Sequence, residues 1–160
     1  MPRVSAVRLH ASNVARAPDL AARAQWEQAA REVLVEDDLE PDAAGGPFVV
    51  ELRFEGHLAQ VTLLAPGEER VAAYRWDLRP LRDLLKEYLG LWRRLESLRG
   101  DGPAAQWEAI DIAKRAVHDE AAGLIAESLA SLRPGLETAR RLFTLLALMN
   151  LELGDAESGA

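Results

Sequence analysis

The chain has 160 residues, no cysteine, and 26 acidic against 19 basic side chains, a formal charge of −7. The length suits one domain with a real core, and 49% apolar with 28% charged residues excludes wholesale disorder. Zero cysteine excludes disulfides, thiolate chemistry and sulfur-based zinc sites, and the acidity argues against a general nucleic-acid binder.

In chain order, Val4 to His10 alternates loosely and predicts a short strand. Asp19 is placed to cap a helix running to about Val35, with Ala22, Trp26, Ala29 and Val33 on one stripe. Glu36 to Asp42 (EDDLEPD) then holds five acids and no base. The tail from Glu152 to Ala160 holds three more, which leaves eighteen acids against nineteen bases in the rest of the chain. The surplus acid therefore belongs to one loop and one terminus, which read as solvated segments or as a dock for a basic partner. The loop lacks the Asp-x-Asp-x-Asp-Gly spacing of a calcium site, and no metal site is expected.

After Gly45-Gly46-Pro47 the period changes to two, with Phe48, Val50, Leu52 and Phe54 on one side and Glu51, Arg53 and Glu55 on the other. Glu55-Gly56 as a two-residue turn sets Phe54 opposite His57, Leu52 opposite Ala59, Val50 opposite Val61 and Phe48 opposite Leu63. Pro66-Gly67 makes a second turn into a third strand, about Arg70 to Trp76. From Asp77 onward the pattern is helical. Leu81, Leu84, Leu85, Tyr88, Leu91, Trp92, Leu95 and Leu98 form one stripe, broken at Gly100-Asp101-Gly102-Pro103. A second helix spans about Ala104 to Leu129 and a third about Leu136 to Leu151. Leu145 to Met149 is apolar on every side, which predicts either a core position or an interface for a homo-oligomer or protein partner. The order of elements predicts an α+β fold over 1–151, with a disordered acidic tail at 152–160. Its small antiparallel sheet of three to four strands packs against an N-terminal helix and three C-terminal helices. No apolar run approaches the roughly 20 residues of a membrane span, and the N-terminus carries no signal-peptide pattern, so a cytoplasmic protein is expected.

Phosphate-cradling, dinucleotide, serine-elbow and zinc-protease motifs are all missing, so no cofactor is expected. Of the three histidines, His10 reads as a polar strand end and His57 as an exposed turn residue. His118 lies in EAIDIAKRAVHDE, where Asp111, Arg115 and His118 are spaced i, i+4, i+7 and share a helix face. Such a line can hold an anion through Arg115 while His118 transfers a proton, or can simply make intrahelical and interhelical pairs. Tyr88 needs a partner for its hydroxyl when buried, and His118 is a natural one. Arg140 and Arg141 sit early in their helix, where the dipole disfavours cations; unless Glu120 or Glu137 offsets this, they suit a small anion.

Residues 108–120 (EAIDIAKRAVHDE) and 138–146 (TARRLFTLL) resemble two blocks of a bacterial family of unassigned function, number two hundred and sixty-two in the UPF series. Residues 80–88 (PLRDLLKEY) are similar to a third block. The resemblance carries the family pattern onto Tyr88, Asp111, Arg115, His118, Glu120, Arg140 and Arg141. It departs at Asp119 and Ala121, where the family usually shows Asn and Gly. It implies no activity. The favoured reading is a non-catalytic interaction or regulatory module working through the C-terminal helix. The alternative is a small enzyme or anion-binding protein built on the His/Arg/carboxylate patch. An RNA-associated accessory protein comes last, because the basic residues show no cluster beyond Arg93-Arg94 and Arg140-Arg141.

Overall fold

The computed structural model describes residues 3–34, 38–98 and 104–158, the last eight as backbone only. Glu36 and Asp37 of the acidic loop and the break at 100–103 lie outside the described residues. Strand β1 (Val4–Leu9) leads through α1 (Ala11–Val14) and α2 (Leu20–Glu32) to β2 (Phe48–Glu55), β3 (Leu58–Leu64) and β4 (Arg70–Asp77). A 3-10 turn at Arg79–Leu81 opens α3 (Arg82–Ser97), followed by α4 (Ala104–Ser128), a second 3-10 turn at Ala130–Leu132, and α5 (Leu136–Ser158).

The four strands lie in the order β1-β2-β3-β4. The two hairpins are antiparallel, but β1 pairs with β2 in parallel, so the sheet is mixed rather than purely antiparallel. The reason is the intervening helices, which return the chain to the end of the sheet where β1 began. The β2–β3 turn is Gly56-His57, not Glu55-Gly56, which pairs Phe54 with Ala59, Leu52 with Val61 and Val50 with Leu63. Gly56 (φ 60) takes the first central position, where a two-residue hairpin turn of type II′ needs a positive φ. The slip is two residues, so every side chain keeps its expected face. In the next hairpin, Pro66 and Gly67 are the central residues of a turn closed by Glu68 N–H donating to the Ala65 carbonyl at 2.9 Å. The left-handed residue there is Glu68 (φ 68), as in three-residue hairpin loops.

Asp19 caps α2 as its position predicts, its carboxylate accepting from Ala22 N–H at 2.7 Å. His10 does more than end a strand, because its Nδ1 accepts from Ser12 N–H at 3.0 Å and so caps α1. Nor is the described part of the acidic loop merely solvated. Leu39 is buried, and backbone bonds run from Glu40 to Leu132, from Asp42 to Ser131 and from Gly135 to Asp38. Residues 38–42 thus strap the start of α5.

One face of the sheet (Val50, Leu52, Phe54, Val61, Leu63, Trp76) joins Trp26, Val117, Ile125, Phe143 and Leu145 in a single buried cluster. Each such side chain contributes about 1.5–3 kcal/mol of burial. Helix α5 is central, packing against α2, α3 and α4. Leu145, Leu146, Ala147 and Met149 are buried within the chain itself, so the all-round apolar stretch is core. The backbone of α5 continues to Ser158, past the expected end at Leu151, with no proline in the added turns to stop it. Among the described residues, no helix is long and apolar enough to cross a membrane.

Candidate functional site

Helix α4 packs against α5, and His118 and Asp119 reach across the pair to Thr144 and Arg140. The expected i,i+4 pair forms, with Arg115 Nη2 2.9 Å from Asp111 Oδ2. Three residues further on, His118 Nε2 lies 2.9 Å from Thr144 Oγ1 of α5. Thr144 spends its only proton on the Arg140 carbonyl at 3.1 Å, so in this pair the imidazole donates and the hydroxyl accepts. That bond puts the proton of neutral His118 on Nε2 and leaves Nδ1 as the basic atom.

Tyr88 does not meet His118 through its hydroxyl. The two rings stack instead, with centroids 5.8 Å apart and planes 23° from parallel, and Phe143 abuts both. Burial in this aromatic wedge lowers the pKa of His118 below its ordinary value, and the Arg140 charge pushes the same way. The Arg140 carbonyl and the Asp119 and Glu137 carboxylates oppose that shift. Burial also raises the Tyr88 hydroxyl above its usual pKa. Lys114 lies over the Tyr88 ring at 5.6 Å and the Trp92 ring at 4.8 Å, an arrangement that holds α3 to α4 through cation–π attraction.

The early arginines of α5 are offset by carboxylates. Arg140 pairs with Asp119 and lies 3.7 Å from Glu137, while Arg141 Nε is 3.4 Å from Glu137. Glu137 is thus one of the two offsetting acids named from sequence, and Asp119 takes the place of its neighbour Glu120. One residue along a helix is a turn of 100°, which points Glu120 elsewhere. Arg141 Nε is shielded from water and has no hydrogen-bond partner, because the Glu137 contact is outside bonding geometry.

These groups share a cleft of about 460 Å³ between α2, α4 and α5. His118, Arg115, Arg140 and Arg141 line it, together with Thr144, Asp119, Glu137 and, from α2, Glu32. Asp111, Glu120 and Tyr88 do not line it. Sequence reasoning missed Thr144, although its i+3 and i+4 spacing from Arg141 and Arg140 puts it on their face. Glu32 lies far away in sequence and carries no local signal. Among the described residues no group of acids and histidines could hold a metal ion.

An α+β protein with a His/Arg/carboxylate cleft on its helical layer is the class that fold and site define. The family model described as Uncharacterised protein family (UPF0262) matches residues 1–152, and the chain belongs to that family. Relatives carrying the same family name include one from Cereibacter sphaeroides, 34% identical over 67% of this chain and 68% of its own length. Others come from Rhodopseudomonas palustris, 32% identical over 73% and 74%, and Maricaulis maris, 32% identical over 75% and 79%. No solved structure matches the chain at a significant level.

Proposed function

We propose that this protein is a cytoplasmic small-ligand-binding protein whose site is the α2–α4–α5 cleft. The observation that carries this reading is the shared lining: His118 and Arg115 of α4 and Arg140 and Arg141 of α5 border one cavity. Arg141, with an unbonded and partly desolvated Nε, and Arg115, at the mouth, receive the ligand's carboxylate. Arg140, held by Asp119 and Glu137, positions that wall. His118 Nδ1 is the acceptor for a ligand N–H or O–H. Binding is favoured over turnover because Asp111, Glu120 and Tyr88 lie outside the cleft, which leaves His118 as the one proposed proton-transfer group lining it. Thermal-shift titration with a panel of mono- and dicarboxylates tests this. At least one should raise the melting temperature of the wild type and leave Arg141→Gln unmoved. A panel that moves neither protein, or both equally, overturns the reading.

A second reading, a non-catalytic interaction module that self-associates, rests on a different surface. Among the described residues the exposed large apolar side chains are spread over several elements (Leu20, Val71 and Leu136 besides the α3–α4 pair), and α3 and α4 carry Trp92, 36% exposed, and Ile112, 58% exposed. Concentration-dependent sedimentation that Trp92→Glu abolishes supports this reading, and a monomer at every concentration rejects it.

A further inference from the structure

The open face of the sheet carries a second charged cleft, unrelated to His118. Strand register stacks its outward side chains in rows, one running Arg8, Glu51, Thr62, Ala73 and the next Arg53, Gln60, Arg75. The first row is balanced, since Arg8 contacts Glu51 at 3.0 Å and Glu68 at 2.6 Å. The second row is not. Arg53 has Glu55 at 2.6 Å, but among the described residues neither Arg70 nor Arg75 has a carboxylate partner. Arg53, Arg70 and Arg75 line one cleft of about 400 Å³ with Glu55 and Gln60. Three guanidinium groups therefore face a single carboxylate, in a protein whose net charge is −7.

Like charges gathered in this way repel one another, and the cost rises where water is excluded. Arg53 Nε is shut off from water and makes no hydrogen bond, so part of this charge is poorly screened. A bound anion relieves the repulsion. Guanidinium forks match the spaced oxygens of phosphate, and the Gln60 amide adds a neutral donor. We propose that this cleft binds a phosphate group, either as the free ion or as the monoester of a small molecule.

The test is a titration of the full chain with inorganic phosphate and, separately, phenyl phosphate, followed by backbone-amide NMR shifts. The expected result is saturable movement at Arg53, Gln60, Ala73 and Arg75, with affinity lowered about tenfold in Arg70→Gln and in Arg75→Gln. Arg8→Gln removes the same charge from the balanced row and should leave the affinity unchanged. Either probe binding there supports the site, and the tighter one tells whether the ligand is free ion or ester. The proposal is overturned if neither probe moves the sheet at millimolar concentration. Movement confined to α4 and α5, or equal loss of affinity in Arg8→Gln, also overturns it. So does a single-stranded RNA that moves these amides when neither phosphate does.

Discussion

His118 on α4 and Thr144 on α5 hold one another across the helix pair, Nε2 to Oγ1 at 2.9 Å, with the imidazole donating. Thr144→Val keeps the shape and removes the acceptor. The expected loss is about 1 kcal/mol, a fall of roughly 2–4 °C in melting temperature for a chain of this size. Imidazole nitrogen NMR should report the Nε2–H tautomer in the wild type and a mixture in the variant.

Burial lowers the pKa of His118 from 6.5, so the unfolded chain binds that proton more readily than the native one. The contribution to stability is therefore complete above about pH 6.5 and declines as the pH falls toward the native pKa. Urea melts between neutral and mildly acid pH should show this decline. In His118→Gln, which cannot titrate, the slope over that window should be shallower, and an unchanged slope would rule out His118 as its source.

Asn13 acts as a piece of strand. Its side-chain amide donates to the Phe54 carbonyl at 2.9 Å, and its side-chain oxygen accepts from Phe54 N–H at 2.8 Å, with the residue buried. Asn13→Leu strands both backbone groups away from water. Equilibrium unfolding should register a loss of about 2–4 kcal/mol.

Gly46 (φ 117) sits where an added Cβ would come within 3.0 Å of the Arg3 carbonyl oxygen. Gly46→Ala should destabilise by about 1–3 kcal/mol through the backbone conformation and this contact. Gly67→Ala, with no atom within 4 Å of the new methyl, should melt close to the wild type. Similar melting temperatures for the two variants would refute the assigned backbone at Gly46.

Period and punctuation along the chain determined much of this protein. The i, i+4, i+7 line from Asp111 to His118, the Asp19 cap and the alternation from Phe48 to Phe54 are local regularities, and each is present in the folded molecule. The hairpin register was legible only to within two residues, because a slip of two preserves every face. What the tertiary structure alone decided depends on which helix crosses which. It brought Glu32 and Thr144 to the arginines, exchanged Glu120 for Asp119 as the partner of Arg140, and stacked Tyr88 on His118. It also turned the apolar stretch of α5 inward and laid β1 parallel to β2. Periodicity specifies the face on which a side chain lies, but the partner opposite that face comes from distant sequence and is selected only when the core closes.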